Sequence, residues 1–129
     1  MFLPDKAPGE VALPSRENLL DEAAKLLLKA AAILEDEGFC KLVRYNEHGE
    51  HCVLGALDKA AGYSMWGADW TTDEGKSQPF RDAVSRLAAS IGRSGWDNYR
   101  TAALWNNASE RTKAEVVAKL RSVALGGER

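Results

Sequence analysis

Apolar positions recur at three- and four-residue steps along the best-patterned stretch of the chain. Leu19, Leu20, Ala23, Leu27, Ala30, Ala31 and Leu34 fall on one helical face, and Leu26, Leu28 and Ile33 widen that stripe. So broad an apolar face predicts a central helix packed on more than one side. Ser15 is placed to cap it, Glu17 lies in its first turn, and Gly38 stops the pattern. Beyond Gly38 the period shortens. Residues 41–45 alternate loosely, Asn46-Glu47-His48-Gly49 reads as a turn, and His51, Cys52, Val53 and Leu54 follow, which predicts a short β-hairpin.

Helical spacing then returns. A second helix is expected over Val53–Ala61, stopped by Gly62. Gly55 and Ala56 present almost no side chain, so another backbone, expected to be helix 1, can approach there. Residues 63–78 are the least patterned. A third helix runs from about Pro79 to Ile91 before Gly92, with Phe80, Val84, Leu87, Ala88 and Ile91 on one face. Asp97 or Asn98 caps a short fourth helix carrying Tyr99, Ala102, Ala103, Leu104 and Trp105. Thr112 and Glu115 form a capping box that opens a last helix, with Val116, Val117, Leu120, Val123 and Ala124 facing inward. The fold class expected is mainly α: a single compact domain of about five helices with a short β-hairpin inserted after helix 1. Residues 1–14, with Pro4, Pro8 and Pro14, read as an extended arm, residues 15–125 as the helical domain, and residues 126–129 as a frayed tail.

Composition narrows the function classes. The chain has 129 residues, enough for one domain with a core of its own. Seventeen basic against nineteen acidic residues leave a net charge of −2, which argues against a dedicated nucleic-acid binder. The apolar run AAKLLLKAAAIL carries two lysines and is too short to span a membrane. No basic start followed by an apolar run marks a signal peptide, so a cytoplasmic protein with reduced thiols is the expectation. Glu35, Asp36 and Glu37 stand at the negative end of the first helix dipole, as a solvated face or as an acidic patch for a basic partner.

Both cysteines and both histidines fall within residues 40–52. Cys40, His48, His51 and Cys52 have ligand chemistry suited to zinc. Their spacing, C-x7-H-x2-H-C, lacks the paired knuckles of structural zinc sites, and no cofactor is expected. Cys52 precedes a predicted helix N-terminus, where the dipole lowers a thiol pKa. An enzyme would use Cys52 as nucleophile, His51 as base and Asn106 to orient it. The other reading makes Cys52 a small buried hydrophobe. Tyr63, Trp66 and Trp70 recur at three- and four-residue steps in a loop setting and form a candidate partner-binding surface, whereas Trp96 and Trp105 read as core.

Gly38-Phe39-Cys40, Cys52-Val53-Leu54-Gly55-Ala56-Leu57 and Trp105-Asn106-Asn107 before Thr112 and Glu115-Val116 together resemble a family of small uncharacterised proteins of actinobacteria and their phages. That family's signature runs Gly-Trp-Cys, Cys-x-x-Gly-Ala-Leu and Trp-Asn-Asp. This chain has Phe39 in place of the tryptophan and Asn107 in place of the aspartate. The resemblance implies no established activity. It tilts Cys52 toward packing, and it makes Trp105 and Asn106 a lid and cap for the last helix. The function expected is a non-enzymatic accessory or regulatory module, phage-like in origin, that binds a host or self protein. A homodimer is compatible with it, and no nucleic acid or membrane partner is expected. The alternative is a small thiol-dependent or hydrolytic enzyme built on Cys52.

Overall fold

The computed structural model describes residues 20–63, 76–92 and 97–126. The N-terminal arm, Ser15, Glu17 and Leu19, the tryptophans at 66, 70 and 96, and the last three residues lie outside the described residues. Five helices form among those described: α1 (Glu22–Glu37), α2 (Val53–Ala61), α3 (Gln78–Ile91), α4 (Asn98–Asn106) and α5 (Lys113–Ala124).

Local chemistry sets most of their ends. The cap of α1 is Asp21 rather than Ser15: its backbone is extended and its carboxylate accepts from the Ala24 amide at 3.0 Å. Ser77 and Asp97 do the same for α3 and α4. In α5 the capping box is reciprocal, with Glu115 N–H on Thr112 Oγ1 at 3.2 Å and Thr112 N–H on Glu115 Oε1 at 2.9 Å. Gly62 and Gly92 end α2 and α3 in the left-handed region (φ 86° and 87°), a backbone that residues with a Cβ seldom adopt.

Helix α1 is central, packing against α5, α2 and α3, while α3 also packs on α4. Its stripe delivers Leu27, Ala30, Ala31 and Leu34 to the core, each fully buried. They meet Leu54 and Leu57 of α2, Phe80, Val84 and Leu87 of α3, Ala102 of α4, and Val116 and Leu120 of α5. Each large aliphatic side chain buried this way stabilises the fold by about 1.5–3 kcal/mol before ordering costs. None of the described helices is long and apolar enough to cross a membrane.

The expected hairpin does not form as two strands. Among the described residues there are only isolated bridges, and both converge on His51: parallel to Phe39 and antiparallel to Tyr45. The turn itself is present. Asn46 Oδ1 accepts from the amides of His48 and Glu50, each at 3.0 Å, and Gly49 takes φ 80°. Pairing stops beyond it because Leu42 adopts φ 74°, which breaks the extended run 41–45. One segment, residues 50–52, is thus sandwiched between the chain leaving α1 and the chain leaving the tip of the loop.

The small-residue surface of α2 is also used differently from expectation. A Cβ built on Gly55 would stand 2.1 Å from the Arg44 carbonyl oxygen, so the close neighbour of this glycine is loop backbone and not α1. That same oxygen accepts from the Cys52 amide at 2.9 Å.

Candidate functional site

The loop 38–52 and the C-terminal end of α4 form one polar hub, with Asn106 at its centre. Asn106 is fully buried. Its Oδ1 accepts from the Val53 amide at 2.9 Å, one of the amides that the first turn of α2 leaves without a helical partner. Its Nδ2 donates to the Cys40 carbonyl and to Asn107 Oδ1, both at 3.2 Å. The asparagine therefore caps α2 from across the fold, whereas the last helix is capped by Thr112. Asn107 Oδ1 in turn accepts from the Leu42 amide at 2.8 Å. The bonds at position 107 use one side-chain oxygen as acceptor, a part that an aspartate can play equally well.

Both thiols sit inside this hub. Cys52 is the N-cap of α2, its Sγ accepting from the Gly55 amide at 3.4 Å, and it belongs to the hydrophobic core. Burial pushes its pKa up, against the opposing pull of the Gly55 and Leu54 amides. Cys40 directs its thiol at the carbonyls of Val43 and Glu50, at 3.4 and 3.5 Å. Its pKa is raised to about 11 by burial first, then by the neighbouring Cys52 and Glu50. Neither is a thiolate at neutral pH, and a protonated thiol is a poor nucleophile and metal ligand.

The histidines separate. His48 is exposed at the turn, 3.7 Å from Glu47. His51 is fully buried and its Nε2 lies 2.7 Å from Glu37 Oε1, not against a thiol. Its ring tilts against Tyr45 with centroids 5.2 Å apart. The four residues weighed as a metal set thus point to different partners. Among the described residues no group of three or more histidine, cysteine, aspartate or glutamate side chains is arranged to hold an ion.

Ion pairs that the sequence reading did not anticipate fasten the loop from outside. Glu37, one of the acids at the unfavourable end of α1, is held by Lys59 Nζ at 2.7 Å from each oxygen; that bond, then His51, pulls its pKa down. Glu35 stands 3.8 Å from Arg121. More deeply buried is Asp58, whose carboxylate meets Arg44 Nη1 at 2.8 Å and Lys76 Nζ at 3.1 Å. A hint existed in the sequence: Asp58 falls on the apolar face of VLGALDKAA, and a buried carboxylate needs cations. Its partners come from a loop and from the unpatterned stretch, where no period points to them.

The aromatic candidates divide. Tyr63 packs edge-on against Phe80 with centroids 5.3 Å apart, under Lys76 Nζ at 4.3 Å, and its hydroxyl accepts from the Ser77 amide at 2.6 Å. It closes the core beside α3, and its companions Trp66 and Trp70 lie outside the described residues. Trp105, expected in the core, is only half-buried at its edge. The Arg111 guanidinium covers its ring at 4.3 Å and donates from Nε to its carbonyl at 2.9 Å.

Beside the exposed Glu47 and His48 of its turn, the hub presents two large apolar side chains to solvent. Leu42 is 81% exposed and Val43 50% exposed, the two most exposed large apolar side chains among the described residues. Leu42 holds a left-handed backbone that costs a branched residue about 1–2 kcal/mol. Asn107 fixes its amide, and Lys41 reaches the carbonyls of Ala108 and Ser109 at 2.6 and 3.1 Å.

A family model covers residues 19–125, which spans all five helices and the hub. The chain belongs to the family of unknown function DUF6197. The matched span takes in every residue of the hub, from Gly38 to Asn107, so the loop and its α4 latch lie within the family's domain. Neither the curated proteins nor the solved structures contain a match to the chain.

Proposed function

We propose that this chain is a non-enzymatic accessory or regulatory module that binds another protein through the Leu42–Val43 tip. The observation that carries the reading is a conformational one. A large apolar side chain is held almost fully in solvent, in a backbone region it disfavours, by two tertiary anchors, Asn107 and Lys41. Strain that the surrounding structure over-determines is characteristic of recognition and switch segments. Exposed apolar side chains on a rigid base are what a partner pocket buries. The motif resemblance supports an origin in actinobacteria or their phages, and the partner is then a host protein or a second copy of the chain. The balanced charge supports a cytoplasmic protein partner rather than nucleic acid. Trp66 and Trp70 form a second candidate contact.

The enzymatic reading keeps one observation in its favour, the Gly55 amide directed at Cys52 Sγ. The raised pKa and the burial of that sulfur weigh against it.

Affinity capture followed by measurement of the purified complex tests the proposal. The wild type is compared with a Leu42→Gly/Val43→Ser variant and a Trp66→Ala/Trp70→Ala variant. Glycine relieves the φ 74° strain, so the first variant is expected to unfold within about 1 kcal/mol of wild type yet lose the partner. A partner, or a dimer, that survives both variants undiminished removes this surface from consideration.

A further inference from the structure

We propose that the N-terminal arm docks on its own helical domain, with Val11 and Leu13 seated in the groove between the start of α1 and the end of α5. The groove holds about 650 Å³, and its lining includes Leu20, Asp21, Ala24, Arg86, Ala124 and Leu125. Nothing in this contact depends on the protein-binding tip proposed above.

The groove is hollow because small side chains form its floor. Ala24 of α1 and Ala124 of α5 are buried there, and larger walls stand beside them: Leu20 is half-buried and Leu125 is 41% exposed. Leu125 is one of four large apolar side chains left exposed among the described residues. The two charges on the rim are already paired, since the Asp21 carboxylate is bonded to the Arg86 guanidinium. What remains open to a guest is mostly apolar, and the volume lies in the range that buries a compact one.

The occupant follows from where the described chain begins. Leu20 is its first residue and itself a wall of the groove, so the 19 residues before it leave from the groove's edge. Leu13 stands seven residues upstream, and an extended chain of that length reaches up to about 23 Å. So short a tether keeps a guest at high effective concentration. Phe2 and Leu3 are apolar too, but Leu3 stands seventeen residues from Leu20, where closing the loop costs more. Val11-Ala12-Leu13-Pro14 carries no charge, which matches a wall whose own charges are paired. Pro14 disfavours helical backbone at Leu13 and so favours an extended segment. Side chains two apart on an extended segment share a face, so Val11 and Leu13 enter together while Ala12 turns outward. Pro8 and Pro14 also restrict the undocked arm, so less freedom is lost on seating it.

The test is paramagnetic broadening in the isotopically labelled full chain, with a nitroxide attached at Ala12→Cys. That position leaves Val11 and Leu13 intact, and the buried thiols of Cys40 and Cys52 compete poorly for the label. The amide resonances of Ala124, Leu125 and Gly126 are expected to lose intensity selectively and to regain it when the nitroxide is reduced. Val11→Ser/Leu13→Ser alters the arm outside the five helices, and Leu125→Ser alters a wall that is already exposed. Each is expected to abolish the selective loss while the core resonances stay in place. A labelled chain without nitroxide, mixed with an unlabelled chain that carries it, is expected to show no loss, because the arm docks within its own chain. Broadening spread evenly over the domain, selective loss that survives in either folded variant, or selective loss in the mixed sample would overturn the assignment.

Discussion

At the scale of single residues, the hub turns on side chains whose polar atoms are spent on backbone. Asn106 accepts from one helix start and donates to the loop that precedes it, so removing its amide orphans a buried N–H and a buried carbonyl at once. Asn106→Ala is therefore expected to destabilise the fold by about 2–4 kcal/mol, the sum of two buried groups left without partners. Equilibrium denaturation checks it: the midpoint should fall at unchanged slope. The aliphatic neighbours add a cavity, which pushes in the same direction. A loss below about 1 kcal/mol would mean that water replaces the amide and that the hub is looser than its bond lengths imply. The role was only half legible in the sequence. Residue type identified a side chain suited to bonding free amides, but which helix it caps depends on a contact between residues 53 and 106, and no local pattern encodes that.

At the scale of elements, the helices were legible because their signals are local. The inward positions of α1, the capping box of α5 and the stop glycines Gly62 and Gly92 each act within a turn or two of themselves. The segment 38–52 was not, because its shape is imposed by α4 and by the Arg44 carbonyl lodged against Gly55. Helix propensity and packing make opposite predictions at that glycine. Alanine in a helix interior gains about 1 kcal/mol over glycine, whereas a methyl group 2.1 Å from a carbonyl oxygen must drive the loop away. The clash wins, because the atom it meets is backbone fixed by the Cys52 amide. Gly55→Ala is expected to lower the melting temperature, with a net loss of about 1–3 kcal/mol, and to release the Leu42–Val43 tip, read as faster amide exchange at residues 41–45.

The start of α1 makes a separate prediction about pH. Asp21 is bonded to both terminal nitrogens of Arg86, and this, with the Ala24 amide, lowers its pKa from 3.8 to about 2. A carboxyl with a depressed folded value adds stability above its unfolded value, and that contribution is lost as pH falls from about 3.8 toward about 2. Asp21→Asn keeps a good N-cap and removes only the charge. Its melting temperature is expected to lie below wild type near neutral pH and to converge with it at the acid end of that window. Parallel curves throughout would show that the Asp21–Arg86 pair, half exposed on both sides, does nothing measurable.

Across the whole molecule, one buried carboxylate ties together parts that the helix pattern leaves separate. Asp58 lies on α2, Arg44 in the loop, and Lys76 just before α3, and all three side chains are more than nine-tenths buried. Apolar packing cannot specify how a loop of charged and polar residues sits against helices; opposite charges withdrawn from water can, because every misplaced arrangement leaves a charge unpaired. The same reasoning explains why the triad escaped a reading of the sequence. Only the acid has a helical address, and its cations stand 14 residues before it and 18 after it. Asp58→Asn keeps the volume and removes the charge, leaving two buried cations facing a neutral amide. The expected loss is about 3–5 kcal/mol, the scale of a buried pair broken on one side. A substantial part of that loss should return in a background where Lys76 is also replaced by methionine, since the second change removes one stranded charge. A double-mutant cycle measured by denaturant unfolding reads the coupling directly. Independent, additive losses would show that Asp58 and Lys76 do not act together, and would leave the approach to α3 to the other contacts there, the packing of Tyr63 on Phe80 and its bond from the Ser77 amide among them.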